Sequence, residues 1–148
     1  MTDFGPEHFN QASAGRLPGL FGLEVLRADP GEVEARLELR DEFMAPNGYL
    51  HAGTVVSMAD TCCGYGCVAS LPDGKTGFTT SELKSNFLRS AGPDDALVCV
   101  AQMAHGGRTT QVWDATVRRE SDLKVLALFR CTQYLLEGQD PRTQQRQQ

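Results

Sequence analysis

The stretch from Ala52 to Ser70 constrains the fold more than any other part of the sequence. It places apolar or small residues on nearly every face of a helix, among them Val55, Val56, Met58, Ala59, Cys62 and Cys63. A helix that is apolar all round is normally buried, so the rest of the chain has to enclose it. The sequence therefore predicts one long central helix, which Pro72-Asp73-Gly74 stops.

The flanking segments predict strands. Runs at 23–28 and 33–39 around Pro30-Gly31 form a predicted hairpin, and three more strands are expected at 96–104, 108–117 and 124–136. Residues 4–15 are expected to form a short amphipathic helix and Leu17-Pro18-Gly19 a break, while 76–89 receives no assignment. A curved antiparallel sheet wrapped around the long helix is the simplest enclosure, so the predicted fold class is α+β.

Length and composition predict one acidic domain over residues 1–148, with its core at about 20–136 and a polar, disordered tail at 139–148. The net charge of −5, without a basic run, argues against nucleic acid or an anionic membrane as partner. The N-terminus lacks signal-peptide features and no apolar run reaches spanning length. We therefore expect a cytoplasmic protein.

The five cysteines predict reduced, buried thiols rather than disulfides, since three of them lie in the long helix. A metal site is not expected, because no Cys-x-x-Cys pair exists that could join His51. A serine triad is not expected either, since Ser57 and Ser81 lack the Gly-x-Ser-x-Gly context.

One acid, Asp60, stands inside the apolar helix. Removing a carboxylate from water is costly, so it is either a structural acid bonded to a neighbouring element or a functional group. At the start of the helix, Ala52 and Gly53 are expected to present unhindered N–H groups to a developing oxyanion. Asp60 follows Ala52 by just over two turns, on roughly the same side, with a gap that suits a carbonyl group. This arrangement favours acyl transfer.

His51 is expected to orient the start of the helix rather than to act as a partner base, because nine helical positions separate it from Asp60. The motif Gly48-x-x-His51-x-Gly53, followed by an acid nine residues after the histidine, resembles the hotdog-fold acyl-CoA thioesterases of the phenylacetic-acid-degradation type. Further matches are Asn86-Phe87-Leu88-Arg89, His105-Gly106-Gly107-Arg108-Thr109 and Ala127-Leu128-Phe129-Arg130. The resemblance runs from about residue 20 to 136.

The resemblance implies a hotdog fold in which Asp60 is the catalytic carboxylate, as general base or nucleophile, and the Ala52 N–H polarises the thioester. It also implies active sites between two subunits, with Thr79 or Thr80 reaching the acid from the other chain. The protein should then be at least a dimer and is expected to be a tetramer. No cofactor or metal is implied, because coenzyme A belongs to the substrate.

Coenzyme A is implied to lie along 87–92 and 105–110, in contact with Thr79, Arg89, His105, Gly106, Gly107, Arg108 and Thr109. Arg89 and Arg108 suit its phosphates, because a guanidinium fork matches phosphate oxygens. Two positions depart from the family pattern. Ala52 replaces a common glycine, and Ala45 replaces a common amide, so that the amide stands instead at Asn47.

The predicted activity is hydrolysis of a small or medium-sized, plausibly aromatic, acyl-CoA to the free acid and coenzyme A. Two alternatives stand beside it. A non-catalytic acyl-CoA-binding or effector domain would keep the groove without needing Asp60. A hotdog enoyl-CoA hydratase or dehydratase would need a histidine placed to work with the acid.

Overall fold

A computed structural model describes residues 4–138. The elements in chain order are α1 (Pro6–Ser13), α2 (Leu17–Phe21), β1 (Glu24–Asp29), β2 (Glu32–Glu38), a 3-10 turn (Asp41–Phe43), α3 (Ala52–Ala69), β3 (Lys75–Phe87), β4 (Ala96–Gly106), β5 (Thr110–Arg119) and β6 (Val125–Glu137). The tail predicted at 139–148 lies outside the described residues.

The six strands form one sheet in the order β1-β2-β4-β5-β6-β3, and every neighbouring pair is antiparallel. Alternate residues of β2, β4, β5 and β6 face α3 and are buried, as period-two strands with one covered face require. The helix contacts all six strands. The predicted hotdog arrangement, a curved antiparallel sheet around one long helix, is confirmed.

The helix approaches the sheet closely where it carries glycine. A side chain at Gly66 would place its Cβ 2.5 Å from the ring of Trp113, which is fully buried on β5. Trp113 is thus a core residue. The small residues of α3 are therefore needed for packing, since they let large side chains of the sheet reach the helix backbone.

Two segments differ from the sequence prediction. Leu17-Pro18-Gly19 begins the short helix α2 rather than a break, because proline is tolerated in the first turn of a helix. Residues 75–87, which the sequence left unassigned, form the long strand β3. Most β3 side chains are exposed on both faces, so the alternation that marks a half-buried strand is missing.

The two edges of the sheet are built differently. On β1, the Asn10 side chain of α1 accepts a hydrogen bond from the Val25 N–H (2.8 Å) and donates one to the Val25 carbonyl (3.1 Å). On β3, the outer edge has no strand or helix beside it within residues 4–138. No helix in this same range is both long and apolar enough to cross a membrane.

Candidate active site

The start of α3 is capped by His51. Its Nδ1 accepts a hydrogen bond from the Gly53 N–H at 2.7 Å, and its carbonyl accepts one from the Thr54 N–H at 3.0 Å. The Gly53 N–H is therefore occupied, which corrects the expectation that it is unhindered. Of the first-turn donors, only the Ala52 N–H has no acceptor among the described residues. It is an open donor at the positive end of an 18-residue helix.

The loop before α3 is tied to the helix by the Phe43 carbonyl. That oxygen accepts from the His51 N–H (3.1 Å) and from the buried Thr54 Oγ1 (2.9 Å). Asn47 lies at the exposed tip of the loop, where its Oδ1 accepts from the Tyr49 N–H at 3.2 Å. The structure thus gives Asn47 a contact within its own turn and does not bring it to Asp60.

Asp60 lies in the middle of α3, half-buried, and its Oδ1 is 3.3 Å from the Thr80 hydroxyl. Burial raises the pKa of this carboxyl group, while a hydrogen bond from Thr80 acts in the opposite direction. No cation lies within ion-pair distance of Asp60 in the part of the chain that the structure describes. A carboxylate without a counterion in such a place is a stronger base than one on the surface.

Thr80 reaches Asp60 from the same chain, because β3 runs beside α3 at the edge of the sheet. Thr80 lies opposite the buried Gln133 of β6, and a bulge at Ser81 follows at once. The expectation that Thr80 reaches the acid from the other subunit is therefore wrong for this contact. Thr79 pairs with the exposed Tyr134 and so lies on the opposite face of the sheet from Asp60.

Ala52 and Asp60 of one chain cannot act on one carbonyl group. Eight residues of helix separate them by about 12 Å along its axis. Helix N–H groups point toward the N-terminus, so an oxyanion bound at Ala52 lies still farther from Asp60. The gap that the sequence suggested for one carbonyl is therefore too long within a single chain.

The residues predicted to hold coenzyme A fall into two places. His105 and Gly106 end β4, and the Gly107 N–H donates to the Thr110 carbonyl at 2.9 Å, which forms the tight turn that carries the exposed Arg108. The carbonyl of Thr109, in the same turn, accepts from the Leu135 N–H at 2.8 Å.

Arg89 lies at the other end of the sheet, where its guanidinium donates to the Val125 carbonyl at 2.8 Å. The Arg108 turn lies beside Tyr134 and Leu135 of β6, and the nine residues of strand between Val125 and Tyr134 span about 30 Å. The structure therefore does not bring the two arginines together within one chain.

Sequence reasoning missed Gln133, which is fully buried beside Thr80. A usable signal existed, because Gln133 shares its strand parity with the apolar Cys131 and Leu135. A polar side chain at an inward position needs a partner.

The sequence around this site matches a known protein family. The model of the thioesterase superfamily matches residues 47–126, which include the start of α3, Asp60 and Thr80. The chain belongs to the thioesterase superfamily. It is a thioester hydrolase with the hotdog fold of this superfamily.

Individual relatives agree with this membership. The chain is 30% identical over 111 residues to a 1,4-dihydroxy-2-naphthoyl-CoA hydrolase of Listeria monocytogenes, which covers 75% of this chain and 88% of the relative. It is 26% identical over 117 residues to the acyl-coenzyme A thioesterase PaaI of Escherichia coli, with 79% and 80% covered. The crystal structure of a Haemophilus influenzae thioesterase superposes with a TM-score of 0.85 at 25% identity, covering 95% and 96%.

Proposed function

We propose that this thioesterase hydrolyses a small or medium-sized aromatic acyl-CoA to the free acid and coenzyme A. The observation that carries the proposal is Asp60, a half-buried carboxylate without an ion-pair partner, beside the hydroxyl of Thr80. Two relatives bear names for acyl-CoA hydrolysis, and one of them names an aromatic acyl group. They support coenzyme A as carrier and a ring as acyl group.

In the proposed reaction the thioester carbonyl oxygen accepts a hydrogen bond from the Ala52 N–H, which stabilises the negative charge of the tetrahedral intermediate. Asp60 either removes a proton from water as the water attacks, or attacks directly to form an anhydride that water then hydrolyses. In both routes the C–S bond breaks and the sulfur leaves as the coenzyme A thiolate. Water is the second substrate, and neither route needs a metal.

The proposed site takes Asp60 from one chain and Ala52 from a second copy. The distance of about 12 Å between them along one helix supports this, because it is too long for one carbonyl group. The uncovered outer edge of β3 supports it too, since an open edge can pair with another strand. We propose a dimer through this edge. The outer face of β6 offers exposed Leu128 and Tyr134 for a second dimer, so that the assembly is a tetramer.

We also propose that Arg108 contacts a phosphate of coenzyme A. It is exposed beside a tight turn, and charge-assisted contacts of this kind contribute about 1.5–3 kcal/mol. Arg108→Ala should raise KM for acyl-CoA about tenfold or more, while hydrolysis of a truncated pantetheine thioester changes little. Equal losses on both substrates would assign Arg108 to folding or assembly. Arg89, at the far end of the sheet, would contact a different part of coenzyme A or lie at the site of another copy.

Replacing Asp60 by asparagine tests the proposed chemistry. The near-isosteric change removes charge and basicity, so kcat should fall at least about 100-fold with KM little changed. Asp73→Asn, in the exposed loop after α3, is the matched control and should keep wild-type turnover. Steady-state rates on a panel of aromatic and aliphatic acyl-CoAs provide the measurement.

Two results would overturn the proposal. If a folded Asp60→Asn protein hydrolysed its best acyl-CoA at near wild-type rate, Asp60 would have no catalytic role. The alternative of an acyl-CoA-binding domain would then be favoured. Conversion of an enoyl-CoA in preference to a saturated acyl-CoA would indicate a hydratase. The structure favours hydrolysis, because His51 caps the helix start and lies nine residues from the acid.

A further inference from the structure

Two buried glutamines lie directly opposite each other on neighbouring strands, Gln111 on β5 and Gln133 on β6. Gln111 makes structural contacts at both ends of its amide. Its Nε2 donates to the Ser70 carbonyl at the end of α3 (3.0 Å), and its Oε1 accepts from the Trp113 indole (2.8 Å). It therefore fastens the C-terminal end of the helix to the sheet.

Gln133 is connected differently. Its Nε2 donates to the thiol sulfur of Cys131 (3.4 Å), and its Oε1 accepts from the Thr80 hydroxyl (2.8 Å). That same hydroxyl lies 3.3 Å from Asp60 Oδ1. One amide thus reaches the acid through a single intervening side chain, and nothing in the proposed reaction accounts for it.

The Thr80 hydroxyl faces two acceptors and carries one proton. The Gln133 oxygen is nearer by half an ångström, within the normal range for an O–H donor, while the Asp60 oxygen lies beyond it. Because Gln133 is fully buried and its amide nitrogen is engaged by Cys131, its oxygen is held in place against Thr80. The proton is therefore drawn away from the acid.

We propose that Gln133 is a positioning residue for Asp60, which holds the Thr80 hydroxyl proton and so leaves the carboxylate without an internal hydrogen-bond donor. The inference rests on the proposed role of Asp60. A carboxylate without an internal donor can accept a hydrogen bond from the reacting water. It can also attack the thioester directly, without first losing a hydrogen bond to Thr80. The bulge at Ser81 fits this role, because it fixes the direction of the strand next to Thr80.

The groups around Asp60 make the effect measurable by its pH dependence. Burial raises the pKa of Asp60, a hydrogen bond donated by Thr80 would lower it, and no charged neighbour contributes. Thr80 comes from β3 and Gln133 from β6, and both are uncharged. The titratable groups beyond Gln133 are the thiols of Cys131 and Cys63, and the neighbouring Cys131 together with burial raises the pKa of Cys63.

The test compares Gln133→Met with Gln111→Met in pH profiles of kcat/KM. Gln133→Met removes the competing acceptor, so the Thr80 proton moves to Asp60 and stabilises the anion. The acidic limb should shift to lower pH, and kcat on the plateau should fall about threefold, because the base is weaker. Gln111→Met should lower the melting temperature and leave the acidic limb at its wild-type position.

Thr80→Val supplies a test that does not depend on the folding of a glutamine variant. The Thr80 proton does not serve Asp60 in the wild type, so the acidic limb should stay in place. In the Thr80→Val background, Gln133→Met should add no shift. The inference would be overturned if Thr80→Val moved the acidic limb to higher pH. It would also be overturned if Gln133→Met still shifted the limb in the Thr80→Val background.

The outcome can be separated from that of the proposed function. If Asp60→Asn retains turnover, the proposed chemistry itself fails. If Asp60→Asn abolishes turnover while Gln133→Met only lowers the melting temperature, or shifts the limb to higher pH, then Asp60 is catalytic and Gln133 is not the residue that positions it.

Discussion

The two edges of this sheet end in opposite ways. At β1, one side chain of a neighbouring helix, Asn10, satisfies both backbone groups of Val25. At β3, a strand of 13 residues pairs on one side with β6 and has no described element on its other side. Within residues 4–138, the chain thus covers only the β1 edge of its sheet. The open edge is also the one that carries Thr80, next to the acid.

The largest effect is expected from a charge placed on the open edge. Leu83 of β3 and Leu26 of β1 are both 43% exposed, so they form a matched pair. Leu83→Lys should raise the dissociation constant of the dimer at least about 100-fold, because the lysine loses its water when β3 pairs. Activity should fall with it, since each proposed site needs two chains. Sedimentation velocity across a protein dilution series, with rates measured on the same samples, checks both.

Leu26→Lys is the control and should leave assembly and rate unchanged. If Leu26→Lys dissociates the assembly and Leu83→Lys does not, the copies meet through β1, and β1 rather than β3 is the open edge. If the wild-type protein sediments only as a 16.1 kDa species while active, the site is complete in one chain.

A smaller effect is expected at the closed edge. Asn10→Ala removes two hydrogen bonds from Val25 and should lower the free energy of unfolding by about 1–2 kcal/mol. Gln11→Ala, the neighbouring position with an exposed contact to Glu7, should cost little. Urea unfolding at several protein concentrations measures the difference. Equal stability of the two variants would mean that water replaces Asn10 without cost, and that the two edges differ less than their contacts suggest.

Much of the fold could be predicted, because α3 is apolar on nearly every face and because four strands alternate buried and exposed residues. The strand β3 could not, since an edge strand with both faces exposed lacks the alternation on which such predictions rest. The helix α2 was missed for a different reason. Pro18 and Gly19 usually end helices, and only the position of Pro18 in the first turn makes it compatible with one.

Part of the candidate site was also within reach of the sequence. Asp60 stands out as an acid in an apolar helix, and Ala52 and His51 follow from where that helix begins. The residue pattern alone did not identify the partner of the acid, because Thr80 meets Asp60 only when β3 pairs with β6. The family resemblance named Thr79 or Thr80 but placed it in the other chain. The catalytic role of Asp60 and the coenzyme A contacts of Arg89 and Arg108 stay predictions.

The Asn10 cap has a consequence for how an assembly of this chain can grow. A subunit with two open edges could add a neighbour at each, and head-to-tail pairing of β3 with β1 would extend without limit into a filament. Asn10 of α1 occupies the outward backbone groups of Val25 on β1, so in the proposed dimer β3 would pair with β3 and the open edges of both copies would be used. In the proposed assembly, the side-chain amide of Asn10 would therefore favour a closed pair over an open polymer.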